Sequence, residues 1–143
     1  MDFFTTLVQY ETHLWNHLDQ RLRARGEVEL STLAALHVVR RHEGTCRVQD
    51  LHTDLGITVG AASKLVDRLE RDGLAARGAN PVDRRSSLIT LTDAGHEAHA
   101  SGWTVLQDGL SEHLADEADV VPLTATLNRL RETLTKRATE VSR

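Results

Sequence analysis

The chain has 143 residues, 40% of them hydrophobic and 27% charged, with a formal net charge of −4. That balance suits one globular domain rather than a disordered chain, and −4 excludes generic adhesion to a polyanion through a uniformly basic surface. No apolar run approaches the roughly 18 residues of a membrane span, and Met1-Asp2-Phe3-Phe4 opens without a basic segment before an apolar core, so the expected compartment is the cytoplasm, with no membrane partner.

In chain order, Phe3, Phe4, Leu7, Leu14, Trp15, Leu18 and Leu22 recur at three- and four-residue steps and predict one stripe of a long helix ending near Gly26. Leu33, Leu36 and Val39, with Ser31 as candidate N-cap, predict a second helix that stops at Gly44. Two shorter helices follow, over 48–55 and 58–71, separated only by Gly56-Ile57, which is helix-turn-helix spacing. In the second of them Ile57, Ala61, Leu65 and Leu69 form the expected inward stripe, with Gly60, Ser63, Lys64, Asp67, Arg68 and Arg71 opposite. Residues 74–77 and 87–91 read as two strands, broken between them by Gly78-Ala79-Asn80-Pro81. Thr92 caps a long helix running to Leu114 with Ala98, Leu106, Leu110 and Leu114 apolar, and Asp119 caps a last helix carrying Leu123, Leu127, Leu130 and Leu134.

Charge is unevenly spread along this order. From Lys64 to Arg85 six basic residues stand against four acidic ones, so an acidic chain is locally basic over its centre. A helix entering the DNA major groove, about 12 Å wide, presents its first turns to base edges. Thr58, Gly60, Ser63 and Lys64 occupy those turns: the small residues permit close approach, the hydroxyls exchange hydrogen bonds, and Lys64 reaches a guanine acceptor or a phosphate. Arg68, one turn on, is expected on phosphate, and Arg84 and Arg85 at the hairpin tip suit an adjacent minor groove. The competing reading is a winged helix that docks another protein without binding DNA. Protein interfaces favour aromatics or arginine amid apolar surface, and this hairpin holds no aromatic residue.

The stretch Ala62-Ser63-Lys64-Leu65-Val66-Asp67-Arg68-Leu69-Glu70-Arg71-Asp72-Gly73-Leu74, then Asp83-Arg84-Arg85, then Leu91-Thr92-Asp93-Ala94-Gly95, resembles the signature of the MarR family of bacterial transcriptional regulators, in order and spacing. The resemblance implies a mainly α (α+β) chain, 1–143 as one MarR-type domain, with a winged helix-turn-helix lobe over about 30–91 and dimerisation helices over about 1–25 and 92–140. It also implies a homodimer on a pseudo-palindromic site in double-stranded DNA, acting as a ligand-responsive repressor. Within the wing motif Arg85 is expected to enter the minor groove, Asp83 to orient a neighbouring arginine, and Arg77 to support the wing.

MarR-like proteins take small aromatic acids in a crevice beside each DNA lobe, and His13, Trp15, His17 and His37 are the candidates to line one here for an aromatic or phenolic ligand. Metal and redox sensing are alternatives within the same family. The pairs His13/His17 and His96/His99 each share a helix face, but no third ligand can be assigned, so neither a metal site nor a cofactor is expected. His96-Glu97-Ala98-His99 is one residue short of the zinc-protease pattern. Cys46 is the single cysteine, which excludes an intramolecular disulfide; Arg47 beside it could activate its thiol, against the simpler reading of a small buried hydrophobe. No phosphate-binding glycine loop or nucleophile elbow is present, and an enzyme is not expected.

Overall fold

The computed structural model describes the backbone of residues 2–141 and the side chains of 2–138; Met1, Ser142 and Arg143, at the ends of the expected domain, lie outside the described residues. Six helices and one antiparallel pair of strands follow in the order α1 (Phe3–Ala24), α2 (Leu30–Arg41), α3 (Val48–Leu55), α4 (Val59–Arg71), β1 (Ala75–Ala79), β2 (Ser87–Leu91), α5 (Asp93–His113) and α6 (Val120–Val141). The chain divides into two compact units, Met1–Gly109 and Leu110–Arg143.

In the first unit, α1 ends where Gly26 takes a φ of +72°, a conformation that costs glycine little. The next helix is capped from outside its own sequence. Asp19 on α1 accepts a hydrogen bond from the Leu30 backbone N–H at 2.8 Å, so α2 begins at Leu30, and Ser31 lies within its first turn instead of capping it. This carboxylate ties the end of one helix to the start of the next and meets an otherwise unpartnered N–H.

The core of this unit gathers Ala35, Leu36, Val38 and Val39 of α2, Leu51 of α3, Ala62, Val66 and Leu69 of α4, Ala75 and Ile89 of the strands, and Cys46. The inward stripe of α4 is therefore rotated from the expected one: Ala62, Val66 and Leu69 are buried, Leu65 is half-buried, and Ala61 is exposed. Alanine carries little transfer energy in either direction, so the larger Val66 and Leu69 set the phase.

Strand β1 runs two residues past its expected end, pairing Ala75 with Leu91 through to Ala79 with Ser87. Cys46 adds a short third edge, its carbonyl accepting from the Ile89 N–H at 2.8 Å. Thr92 caps α5, accepting from the Gly95 N–H at 3.1 Å while its hydroxyl donates to the Gly73 carbonyl at 2.6 Å.

The buried stripe of α5 differs from the expected apolar series. Gly95, His99, Gly102, Leu106 and Gly109 face inward at four- and three-residue steps, and of the four expected positions only Leu106 is buried. A Cβ on Gly95 would stand 1.9 Å from the Leu74 carbonyl oxygen, and one on Gly102 would stand 3.1 Å from Leu33 Cδ1. The helix packs by backbone approach, which hydrophobic periodicity does not register.

On α1 only Leu18 and Leu22 of the apolar stripe are buried, whereas Phe3 and Phe4 remain 68% and 73% exposed. In the second unit, α6 leaves Val121, Leu123, Leu127, Leu130 and Leu134 exposed. Among the described residues no helix is long and apolar enough to cross a membrane.

Candidate nucleic-acid interface

The helix-turn-helix is built from local rules. Gly56 ends α3 in the left-handed region at φ +64°, and Thr58 starts α4, its hydroxyl oxygen accepting from the Ala61 N–H at 3.1 Å. Between them His52 Nδ1 donates to the Ile57 carbonyl, which pins the turn and fixes the imidazole proton on Nδ1. Asp50 holds the other end of α3 by accepting from the Arg47 N–H at 2.8 Å. A short helix of low intrinsic stability is thus fastened at both termini.

On the outer face of α4, Thr58, Gly60 and Lys64 are exposed and Ser63 is half-buried. A Cβ on Gly60 would meet nothing within 4 Å, so this glycine answers no intramolecular packing need. Lys64 makes no hydrogen bond or ion pair with the described residues, and its ammonium is uncompensated.

The wing is clamped to this helix by Arg77. Its guanidinium pairs with Asp67 at 2.8 Å and with Glu70, and its backbone N–H donates to Glu70 Oε1 at 3.0 Å. Partly buried and multiply bonded, this cluster outweighs an isolated surface pair of about 0–1 kcal/mol. It sets the orientation of β1 against α4.

The wing tip has its own organiser, Asn80, which is buried although the sequence presents it as part of a simple break. Its amide donates to Ser86 Oγ at 2.9 Å, while its Oδ1 accepts from the Val82 and Asp83 N–H groups at 3.0 and 3.3 Å. Asp83 accepts from the Arg85 backbone N–H at 3.0 Å, so it shapes the turn rather than orienting a guanidinium. Arg84 and Arg85 project from this turn, both exposed.

Two expected positions fall elsewhere. Arg68 does not lie on the outer face with Lys64; its Nη2 donates to Ser31 Oγ at 2.9 Å and Thr32 Oγ1 at 3.0 Å, tying α4 to α2. It is half-buried there, and its Nε is buried with no hydrogen-bond partner among the described residues. The inward turn follows from the rotated stripe, since Arg68 borders Leu65 and Leu69 and its stem packs as they do. Cys46 is fully buried, and burial first, then Asp50 and Asp54, push its thiol up to about 12, the reverse of an activated thiolate.

A cavity of about 480 Å³ opens beside α4, lined by Trp15 of α1, Ser31 of α2, Leu55 and Ile57 at the turn, and Lys64 and Arg68 of α4. Of the expected ligand residues it gathers Trp15 alone. His13 and His17 lie exposed on α1. His37 faces α5, stacked on Trp103 with ring centroids 3.9 Å apart, its Nδ1 3.1 Å from His99 Nε2. Burial, then Arg41 and Arg40, lower the His37 pKa. No group of three or more histidine, cysteine or acidic side chains among the described residues is arranged to hold a metal.

Residues 27–86 match the MarR family. The chain is 31% identical over 85 residues to an uncharacterized HTH-type transcriptional regulator of Bacillus subtilis, YwhA, a match that covers 57% of this chain and 60% of the relative, less than two thirds of its length. Among solved structures, the M. tuberculosis transcriptional regulator MosR in complex with DNA superposes with a TM-score of 0.80 at 19% identity, covering 95% of this chain and 98% of that one. CouR from Rhodococcus jostii, bound to p-coumaroyl-CoA, gives 0.76 at 21% identity over 96% of this chain and 92% of its own. At these identities the likeness is one of fold, mainly helical with a two-stranded wing.

Proposed function

We propose that the chain, whose residues 27–86 match the MarR family, is a member of that family and a sequence-specific DNA-binding transcriptional regulator. It acts in the cytoplasm as a homodimer on a pseudo-palindromic operator, represses by covering a promoter, and is retuned by a small ligand. The observation that carries this reading is one lobe that presents exposed Thr58, Gly60 and Lys64 on α4 beside the exposed Arg84 and Arg85 of the wing tip, with Arg77 of β1 paired to Asp67 and Glu70 of α4. A helix for base edges beside an arginine-tipped hairpin for the adjacent groove is a division of labour suited to duplex DNA.

Two further observations support the finer parts. The exposed Phe3, Phe4 and Leu7 on α1, and separately Leu123, Leu130 and Leu134 on α6, are apolar faces of the kind that pair with a second copy. The Trp15 cavity, with an apolar body and cationic residues, suits an aromatic or phenolic acid. The DNA-bound and acyl-CoA-bound structures of similar fold are consistent with both.

The test is retention of a random duplex pool at near-physiological salt, followed by sequencing. The expected result is an inverted repeat with half-site centres about 34 Å apart, one helical turn, so that two lobes read one face of the duplex. A folded dimer that enriches no sequence would overturn the reading and favour the protein-docking alternative.

A further inference from the structure

We propose that Val82, at the apex of the wing, determines part of the DNA sequence this chain selects: it lies over the minor-groove edge of one base pair, admits A·T there and rejects G·C, so that each half-site carries an A·T pair at its wing contact. The proposal rests on the regulator reading and specifies its target.

Between residues 16 and 120, all of them described, two large hydrophobic side chains are exposed, Val59 at the first position of α4 and Val82. Both stand on the elements that the regulator reading assigns to DNA, and Val82 is the more exposed, at 94%. An isolated apolar residue on a surface needs no explanation by itself. What sets Val82 apart is the turn built beneath it. Buried Asn80 accepts from the Val82 N–H at 3.0 Å through Oδ1, its amide closes the loop on Ser86 Oγ at 2.9 Å, and the Asp83 carboxylate is turned back onto the Arg85 N–H. These polar groups are satisfied within the turn, which presents outward an apolar side chain beside the exposed Arg84 and Arg85.

The division of labour follows from what a minor groove displays. Adenine N3 and thymine O2 are acceptors, and a G·C pair adds the guanine 2-amino donor to the same edge. Arg84 and Arg85 only donate, so they are drawn by the negative potential of the groove, which deepens where the groove narrows. Val82 neither donates nor accepts. Short and stiff at χ1, it lies against base edges instead of parting the stack as larger apolar side chains do. Over an A·T pair it meets the adenine C2–H, with N3 and O2 left to the arginines. Over a G·C pair it takes the amino donor out of water with no partner, which carries the cost of a buried unsatisfied group. The arginines supply attraction, and the valine supplies the choice.

The experiment measures, by fluorescence anisotropy, the affinity of the operator selected from the random pool and of duplexes in which each adenine of its outer flanks is replaced in turn by 2,6-diaminopurine. That base adds the 2-amino group to the minor groove and leaves the major-groove edge unchanged. Wild type, Val82→Ser and Arg84→Ala are compared. At one adenine per half-site the replacement should weaken wild-type binding at least about fivefold, the low end of the cost of an unsatisfied donor. Val82→Ser, whose hydroxyl accepts from the amino group, should bring that ratio to near one, whereas Arg84→Ala should weaken binding to both duplexes and keep the ratio. A penalty unchanged in Val82→Ser assigns the choice to groove shape and overturns the proposal. A selected operator without A·T pairs in its flanks, or a wild type that binds the operator and is indifferent to diaminopurine at every position, overturns it as well and leaves the regulator reading standing. A folded dimer that binds no duplex sinks that reading and this inference with it.

Discussion

Replacing His99 with glutamine should flatten part of the acid dependence of stability, because His99 is held neutral by its geometry. The side chain is 1% exposed, and both ring nitrogens are engaged: Nδ1 lies 3.3 Å from Arg40 Nη1 and Nε2 lies 3.1 Å from His37 Nδ1. A guanidinium only donates, so Nδ1 accepts, the proton sits on Nε2, and His37 Nδ1 is the next acceptor. A second proton would have to enter against Arg40. Burial, then Arg40, His37 and His96, lower the His99 pKa from 6.5 to about 4. Between those values the unfolded chain binds more protons than the folded one, so the stability from the neutral ring is complete above 6.5 and is lost as pH falls toward 4. At about 1.4 kcal/mol per unit, the loss attributable to His99 is on the order of 2–3 kcal/mol by roughly pH 4.5. Glutamine can accept from Arg40 and donate to His37 without titrating. Urea denaturation at fixed protein concentration should therefore show His99→Gln less stable than the parent above pH 7, through lost stacking on Trp103, but with the shallower decline below it. Identical pH slopes in the two proteins would refute the argument, since carboxylate protonation is common to both.

Gly95→Ala should destabilise the fold by about 2 kcal/mol or more in the same urea assay, because a Cβ 1.9 Å from the Leu74 carbonyl oxygen outweighs the roughly 1 kcal/mol that alanine gains in a helix; stability at or above the parent's would contradict the close approach. Gly60→Ala, with nothing within 4 Å of its Cβ, should raise stability by up to about 1 kcal/mol while weakening operator binding in the anisotropy assay, and unchanged DNA affinity would remove Gly60 from the interface. Cys46 should resist iodoacetamide at about pH 8 until urea opens the lobe, because its thiol is buried and pushed up to about 12. Rapid alkylation of the native protein would restore the redox reading.

Element order and the helix-turn-helix boundaries were legible in the sequence because capping and periodicity act within a few residues: Gly56, Thr58 and Thr92 stand where local rules place them. What escaped was set by partners distant in sequence. Asp19 displaces Ser31 as the cap of α2 across 11 residues, and Arg68 turns inward to hydroxyls 36 and 37 residues away. The glycine stripe of α5 is invisible to any hydrophobicity count, since its contacts are made by backbone. Residue type alone points His37 to a ligand crevice, whereas its stack on Trp103 needs α2 and α5 side by side. Asn80 carries a signal that could have been read: an asparagine before proline in a turn commonly bonds the backbone N–H groups that follow.

The local pairing of charge explains how an acidic chain can offer a surface to DNA. Asp67 and Glu70, the acids nearest the outer face of α4, are both engaged by Arg77, and the Asp83 carboxylate is engaged by the Arg85 backbone N–H. No ion pair among the described residues engages Lys64, Arg84 or Arg85. Anions in this region are thus consumed in building the lobe, and the cations left over are the exposed ones. Phosphate neutralisation depends on the cations that reach the duplex and not on the net charge of −4. Breaking the Arg77 clamp would therefore act twice, loosening the wing and releasing two carboxylates toward the DNA. For that reason Arg77→Ala should weaken DNA binding more than removal of one wing-tip charge by Arg84→Ala, even though Arg77 itself need never touch a phosphate. Equal or smaller losses in Arg77→Ala would show that the clamp does not position the interface.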